Sequence, residues 1–209
     1  MITFRTAQKK DAEACVDLLT ESFLTYEYFH IFAKTPETQK KFIKTVLTIE
    51  LHVALKKSIV LVAEDSQKII AVALLEKPDY KDPSLLEYIL AGGLNLIRVG
   101  GLKNALEFLD MFHQTNNACK QFKKTTPSCW HLSSLAVADT CKGQGIGSRM
   151  LLEGIFPYVR QNNGKTLTLI TNTHKNCQFY KKNGFKEFKY ELLLFNNISL
   201  ANWSFKISL

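Results

Sequence analysis

Three glycines alternate with other residues in the stretch DTCKGQGIGSR, residues 139–149. Gly143, Gly145 and Gly147 follow the basic residue Lys142. Glycine at this density is costly unless the backbone adopts positive φ or must come close to another group. A loop of this kind before a helix offers converging N–H groups and the positive end of the helix dipole to an anion. The stretch predicts an anion-binding loop, with a tight turn that needs glycine for its own dihedral angles as the alternative.

Two common phosphate-binding patterns do not fit this loop. A P-loop has the form GxxxxGK[ST], and the sixth position counted from Gly143 is Ser148. A dinucleotide-binding GxGxxG loop lacks its last glycine here for the same reason. That pattern also requires an acid at the end of the next strand, where this chain has Asn172. The loop therefore follows a third pattern.

The elements around the loop follow from apolar spacing and turn residues. Strands are predicted at 2–7, 128–139, 165–171, 185–195 and 202–208, with a hairpin at 58–76 around DSQK. Helices are predicted at 11–23, 36–57, 146–162 and 172–184, with a helical block at 83–122 that is broken at two glycine pairs. The order predicts a mixed α/β fold in a single domain, 1–209, with a helical insertion at about 83–122. The glycine loop then lies between a strand and a helix.

Composition narrows the classes of protein. The chain has 209 residues, a formal net charge of +8 and five cysteines without a CxxC pair. No HExxH or HxxxH pair occurs, so no metal site is predicted. No run of about 18 apolar residues and no signal peptide is apparent, so we expect a cytoplasmic protein with reduced thiols and no membrane span. The lysines are dispersed in pairs, which makes nucleic acid an unfavoured partner.

The glycine loop and its flanks resemble a family motif. LSSLAVADTCKGQGIGSRMLLEGI resembles the acetyl-CoA-binding motif of the GNAT superfamily of N-acetyltransferases, [Q/R]xxGxG/A after a strand of the form LxV. Leu135 and Val137 match the strand, and Gly145 and Gly147 match the loop. Lys142 stands where Arg or Gln is usual, which keeps the charge and loses the guanidinium fork.

A second stretch strengthens the resemblance. NTHKNCQFYKKNGF resembles the family's N…FYxKxGF helix, at the expected distance from the first motif. The matching residues are Asn176, Phe179, Tyr180, Gly184 and Phe185. The resemblance is specific over 128–190 and topological over 1–76.

The resemblance implies a fold and a bound cofactor. The fold is a central twisted mixed β-sheet with splayed fourth and fifth strands and helices on both faces. Acetyl-CoA would place its pantetheine arm in the splay, against the edge of strand 128–138. The predicted coenzyme-binding residues are Leu135, Ala136, Val137, Lys142, Gly143, Gln144, Gly145, Ile146, Gly147, Ser148, Asn172, Asn176 and Tyr180.

The resemblance also assigns Tyr180 as the general acid that protonates the leaving thiolate. The general base stays open between Glu76, at the end of the third strand, His131, in the fourth, and a water chain. An acyl-cysteine route through cysteines near the site is less favoured than direct transfer, because no His–Asp pair is spaced to activate them.

The acceptor remains the least defined part. The aromatic stretch FLTYEYFHIF (23–32) and block 83–122 are expected to shape its pocket, or the block forms a dimer contact. The resemblance implies transfer of an acetyl group from acetyl-CoA to a primary amine of a small molecule or peptide, by a monomer or homodimer. The alternatives are a catalytically silent CoA-binding regulatory module and a nucleic-acid-directed acetyltransferase or binder.

Overall fold

The computed structural model describes residues 1–32 and 35–209, and within them seven strands form one sheet. The strands are β1 (Thr3–Thr6), β2 (Ile59–Asp65), β3 (Lys68–Glu76), β4 (Cys129–Val137), β5 (Thr166–Thr171), β6 (Lys186–Phe195) and β7 (Ile198–Ser208). Their spatial order is β1-β2-β3-β4-β5-β7-β6. β4 and β5 pair in parallel, and the other neighbours pair antiparallel.

Helices cover both faces of this sheet. They are α1 (Ala12–Phe23), α2 (Glu27–His30), α3 (Pro36–Lys57), α4 (Leu85–Tyr88), α5 (Leu94–Thr125), α6 (Ile146–Arg149), α7 (Phe156–Gln161) and α8 (His174–Lys182). π-helical turns at Ile89–Gly93 and Met150–Ile155 join α4 to α5 and α6 to α7. The predicted mixed α/β sheet, its helices and the helical insertion before the fourth strand are confirmed.

Period-two alternation along the strands divides the core into two layers. Val60 and Val62 of β2 face α1, α3 and α5, whereas Leu61 and Ala63 face the helices that follow the glycine loop. Both sets are nearly inaccessible to solvent, so the central strands are apolar on both faces. The sheet is therefore a rigid platform from which the edges of β4 and β5 can position a ligand.

The insertion is one long helical segment with two interruptions. Gly92 has φ of 117° and Gly101 has φ of 79°, values that only glycine adopts without strain, so the two glycine pairs mark the kinks. The helix continues to Thr125, beyond the predicted end at 122. The side chains of Phe108, Met111 and Ala118 enter the core, which fixes its C-terminal half.

The same segment bears on the expectation that the chain has no membrane span. The sequence showed no uninterrupted apolar run long enough to cross a membrane. Leu85–Thr125 nevertheless contains an 18-residue window with a mean hydropathy of 1.3, of which only 11% is buried. By length and composition alone, this helix could span a membrane, and such a test is also passed by helices of soluble proteins. A single helix of this kind is weak evidence for a membrane span, and the expectation stays a prediction.

Candidate active site

The sheet opens between β4 and β5. The two strands pair from Cys129 opposite Thr166 to Leu132 opposite Leu169, and beyond that point they separate. Ser133 is skipped in the register between β4 and β3, which is a β-bulge at the start of the opening. A bulge bends its strand and increases its twist, so it turns the end of β4 away from β5. The predicted splay of the fourth and fifth strands is thus present.

The edge of β4 inside the splay carries free backbone groups. Ala138 donates its N–H to the Ile70 carbonyl of β3 at 2.9 Å. Backbone groups alternate between the two edges of a strand, so Leu135 and Val137 face the splay and Ala136 faces β3. The Ser22 hydroxyl of α1 donates to the Val137 carbonyl at 3.0 Å, which agrees with this direction. Leu135 therefore offers an N–H donor at the edge of the splay.

A cavity of about 100 Å³ lies in the splay. Its walls bring together four of the residues predicted from sequence: Leu135, Asn172, Asn176 and Tyr180. Aromatic side chains of the first helices, among them Phe23, close the opposite side. Ala136, Val137, His131 and the glycine loop do not line this cavity.

Tyr180 is held firmly by other rings. Its ring makes edge contacts with Phe179 and Phe185, and it tilts against Phe205 at 6.2 Å. Burial, with a smaller effect of the nearby Tyr26, raises the pKa of the Tyr180 hydroxyl above its ordinary value. Among the described residues this hydroxyl has no hydrogen-bond partner. Tyr180 therefore lines the cavity as a protonated donor whose hydrogen is not already used.

Tyr26 comes from the aromatic stretch 23–32 that was expected to shape the acceptor pocket, and it lines the splay cavity. Its hydroxyl accepts the Asn172 N–H at 2.9 Å and lies 3.3 Å from the Thr171 hydroxyl. The Asn172 side chain donates to the Ala201 carbonyl at 2.8 Å and to the Asn202 side-chain oxygen at 3.1 Å. The Asn172 amide is thus engaged with β7, whereas the Asn176 side chain interacts with the Tyr26 hydroxyl.

The glycine loop lies just past β4 and is exposed. Gly143 and Gly145 have φ of 80° and 77°, and a Cβ at either position would meet no protein atom within 4 Å. Gly147 is different, because a Cβ there would lie 3.1 Å from the Phe179 ring. The loop therefore needs Gly147 for packing, while Gly143 and Gly145 leave open space beside the backbone.

The remaining loop residues are placed around the start of the helix. Gly145 is the N-cap of α6, and its carbonyl accepts the Arg149 N–H at 3.0 Å. Ile146, the first residue of α6, is buried. Lys142 pairs with Asp139 at 2.5 Å, and the Gln144 amide donates to the Thr140 carbonyl at 3.0 Å. Ser148 is half-buried in the first turn.

A second cavity, of about 260 Å³, lies between α3 and the long helical segment. The two cavities share part of their walls, formed by Val46, Glu50, Phe108, Phe112 and Ser133. The Ser134 hydroxyl donates to Glu50 Oε1 at 2.9 Å. Burial raises the pKa of Glu50 to about 7, and the hydrogen bond from Ser134 opposes that shift. No cation pairs with Glu50 among the described side chains.

Glu50 was missed although the sequence contained a signal. Val46 and Ala54, one helical turn before and after it, are both buried, so Glu50 occupies a position on the apolar stripe of α3. A carboxylate on such a stripe is rarely left buried without a partner or a function. The sequence predicted a helix at 36–57, and no role was assigned to Glu50 within it.

Glu76, one of the predicted bases, also lines the second cavity. Burial raises its pKa to about 7, and the charge of Lys123 opposes the shift. Lys123 Nζ lies 3.8 Å from Glu76 Oε2, and its own pKa is lowered by burial. Glu76 is therefore already compensated by a cation, unlike Glu50.

His131 lies inside the protein and borders neither cavity. Its Nδ1 is 3.1 Å from the Thr168 hydroxyl and its Nε2 is 3.2 Å from the Asn116 side-chain oxygen. Burial lowers the pKa of His131 to about 3, so the ring is neutral at physiological pH. Both ring nitrogens are used within the fold.

The thiols near the splay are poor nucleophiles. Burial raises the pKa of Cys177 to about 11 and raises that of Cys129 as well. A thiolate is the reactive form, so these shifts disfavour an acyl-cysteine. Within residues 1–32 and 35–209, no group of three or more His, Cys, Asp or Glu side chains could hold a metal ion.

Residues 109–187 match the family model of an acetyltransferase (GNAT) domain. This part of the chain is therefore similar to GNAT acetyltransferase domains. The match begins in α5 and ends in β6, so it includes the splay, the glycine loop and α8. No curated protein matches the sequence significantly.

Solved structures are similar in fold to this protein over nearly the whole chain. The histone acetyltransferase HPA2 and related acetyltransferase from Corynebacterium glutamicum is 22% identical over 97% of this chain and 94% of its own, with a TM-score of 0.66. An agmatine N-acetyltransferase is 16% identical, covering 100% and 99%, with a TM-score of 0.63. The polyamine N-acetyltransferase of Drosophila melanogaster is 16% identical over 100% of both chains, with a TM-score of 0.59. These identities, all below 25%, establish a shared fold.

Proposed function

We propose that the protein transfers an acetyl group from acetyl-CoA directly to a primary amine of a small molecule or peptide. The observation that carries this proposal is the junction of the two cavities. Tyr180 and the Leu135 edge line the splay cavity, and Glu50 lies in the wall that this cavity shares with the second one. A donor of the acetyl group and an amine acceptor can therefore reach one point from two directions.

The residues present fit coenzyme A. Gly143 and Gly145 are in the left-handed region with open space where a side chain would be, as a pyrophosphate against the loop requires. The exposed backbone at Leu135 offers an edge with which an extended pantetheine amide can pair. Asn176, on the cavity wall, supplies an amide for the same arm.

When bound, acetyl-CoA supplies an acetyl group activated as a thioester. Glu50 accepts a proton from the acceptor ammonium, which leaves the nitrogen lone pair free to attack. The Leu135 N–H donates to the carbonyl oxygen as negative charge develops on it. Tyr180 donates its proton to the sulfur as the carbon–sulfur bond breaks, and it regains one from the nitrogen that has formed the new bond.

Glu50 is preferred as the base over the two residues predicted from sequence. Its pKa of about 7 lies close to physiological pH, where a general base is most efficient, and no cation compensates its charge. Glu76 shares the pKa but is paired with Lys123, and His131 is buried away from both cavities. Glu76 therefore serves as the matched comparison in the experiments below.

We also propose that the enzyme works in a reducing compartment such as the cytoplasm. All five cysteines are free, and four of them are buried. Buried thiols that remain unpaired are typical of proteins kept under reducing conditions.

The proposed activity is tested by measuring the free thiol released from acetyl-CoA, with and without a panel of primary amines. We expect amine-dependent release and an acetylated product of the added mass. Coenzyme binding by calorimetry without release with any amine would instead indicate a silent CoA-binding module. Release that required nucleic acid, together with salt-sensitive retention on heparin, would point to the nucleic-acid-directed alternative.

A further inference from the structure

We propose that the second cavity binds the apolar tail of an amphiphilic primary amine, with the ammonium group at Glu50. This inference rests on the proposed function and names the class of its acceptor. Three observations carry it: the apolar lining of the cavity, the uncompensated carboxylate at its inner end, and the exposed apolar rim at its outer end.

The wall of the cavity is built from aliphatic and aromatic side chains on two helices. Val53 of α3 and Leu96, Phe108 and Leu109 of α5 face it. Among the described lining residues, the acidic side chains are those of Glu50 and Glu76. An apolar cavity with few convergent polar groups is the usual form of a site for a ligand with a large apolar part.

The inner end of the cavity favours a single cation. Glu50 has the Ser134 hydroxyl as its hydrogen-bond donor and no cationic partner among the described residues. Glu76, in contrast, has Lys123 beside it. A buried carboxylate gains from a partner of opposite charge, so the ammonium group of an acceptor completes the site at Glu50.

The outer end of the cavity continues into an exposed apolar surface on the helical segment. Leu102 and Leu106 line the cavity, and each is 57% exposed. Other large apolar side chains exposed on the same segment are Leu85, Leu86, Ile89, Leu90, Leu94, Ile97 and Val99. An alkyl tail that enters from this surface would be removed from water along the whole length of the cavity.

The same lining opposes acceptors with a second charge. In a diamine, the distal ammonium would lie against the aliphatic wall, because the other carboxylate of the lining, Glu76, is already paired with Lys123. Burying an unpaired charge is far more costly than burying methylene groups. We therefore expect discrimination against polyamines and in favour of monoamines with long alkyl chains.

The first test compares straight-chain alkylamines from butylamine to octylamine with butane-1,4-diamine and agmatine, at concentrations below micelle formation. Each added methylene group should raise kcat/KM by about fourfold until the cavity is filled. The diamine and agmatine should be poorer acceptors than octylamine. A flat series, or a preference for the two polycationic amines, would overturn the inference while leaving acetyl transfer itself established.

A pair of variants locates the tail. L106D places a carboxylate at the mouth of the cavity, and because Leu106 is exposed, the fold tolerates the change. L90D is the matched control, since Leu90 is 70% exposed on the same segment but does not line the cavity. The octylamine-to-butylamine ratio of kcat/KM should collapse at least tenfold in L106D and stay unchanged in L90D. Equal loss in both variants would mean that the tail contacts the outer surface rather than the cavity.

Binding of octan-1-ol by calorimetry tests the cavity without any reaction. The alcohol should bind wild type and L90D with a negative heat-capacity change and bind L106D at least tenfold more weakly. If the alcohol binds in this way but no amine is acetylated, the tail site stands and the proposed transfer fails. If the alcohol does not bind wild type, the tail site is wrong whatever the outcome of the transfer assay.

Discussion

At Glu50, burial and the Ser134 hydroxyl act in opposite directions on the pKa of one carboxyl group. Burial dominates and raises the pKa to about 7, so near neutral pH the group exists in both forms. A base that is half ionised at physiological pH can accept a proton and release it again without a large energetic penalty. The same shift means that the ionised form of Glu50 destabilises the folded protein. The residue can therefore be tested through the pH dependence of the rate and through the pH dependence of stability.

The first prediction concerns the pH dependence of transfer. In the wild type, kcat/KM should rise with pH and show an inflection near 7 as Glu50 ionises. E50Q keeps the size of the side chain and an oxygen for Ser134, but it cannot accept the proton. We expect kcat/KM to fall by about 10²-fold or more, with loss of the inflection.

The control for this prediction is E76Q, because Glu76 has the same pKa of about 7 and lines the second cavity. Steady-state rates between pH 5.5 and 9 separate the two variants. If E76Q loses the inflection and E50Q keeps it, Glu76 is the base and the assignment to Glu50 is wrong.

A second prediction follows from linkage. The folded-state pKa of Glu50 is raised, so its contribution to stability is greatest below its ordinary pKa of 4.5 and is lost as pH rises through about 7. E50Q removes this pH-dependent cost. The melting temperature of E50Q relative to the wild type should therefore be higher at pH 8 than at pH 5. A difference that is the same at both pH values would show that Glu50 is not buried in its charged form.

A third prediction separates catalysis from binding at Tyr180. Y180F removes one oxygen and keeps the ring that packs against Phe179 and Phe185. Coenzyme affinity should change little, whereas the transfer rate should fall by about 10²-fold, because the hydroxyl acts on charge that develops only in the transition state. Y158F is the control, since Tyr158 packs against Trp130 and lines neither cavity. A loss of coenzyme affinity in Y180F would make Tyr180 a binding residue.

At the scale of single residues, the sequence predicted those members of the site that belong to local motifs. Leu135, Asn176 and Tyr180 belong to two contiguous motifs, and the structure brings them to one cavity. Glu50 reaches the same point from a helix that lies more than 80 residues earlier, and its meeting with Ser134 depends on how α3 packs across the sheet. The spacing of residues within one segment cannot predict a contact between two segments that are distant in sequence.

At the scale of elements, the glycine loop illustrates two separate reasons for glycine. At Gly147 a Cβ would lie only 3.1 Å from the Phe179 ring, so a side chain there would crowd that ring, whereas Gly143 and Gly145 are favoured by their positive φ. The sequence predicted glycine-dependent geometry for all three and could not separate these reasons, because the first depends on how α8 packs against the helix after the loop. In the insertion, by contrast, the sequence alone was sufficient, because its two glycine pairs correctly predicted the kinks.

The fourth prediction tests the loop with two alanine variants. Gly145 has φ of 77° and Gly101 has φ of 79°. At both positions a Cβ would meet no protein atom within 4 Å. Both should lose unfolding free energy from backbone strain: about 1–2 kcal/mol in G145A, where ψ is 2°, and more in G101A, where ψ is 158° and almost only glycine is accommodated. Only G145A should also weaken coenzyme A binding, by about tenfold or more, measured by calorimetry. Equal coenzyme affinity in the two variants would remove the pyrophosphate from this loop.

At the scale of the whole molecule, the two core layers do not secure all helices equally. α3 contributes eight buried residues to one layer, whereas the first half of the long helical segment is largely exposed. The C-terminal half of α5 is different, because Phe108, Met111 and Cys119 are buried beneath the sheet. The segment therefore joins a loosely held part, which forms the rim of the second cavity, to a part that belongs to the core.

The last prediction is a pattern of amide hydrogen exchange. Local opening is easiest where few apolar side chains are buried and backbone hydrogen bonds are interrupted, so amides between Leu85 and Leu106 should exchange fastest among the helical residues. Gly92 and Gly101, which break the helical geometry, lie within that range. Amides of α3 and of α5 after Met111 should exchange slowly. Octan-1-ol, by filling the second cavity, should slow exchange in the 85–106 range, and the L106D variant should abolish this protection. Uniform protection along the segment in the free protein would mean that its apolar face is already covered, and the cavity would then not open to a tail from this side.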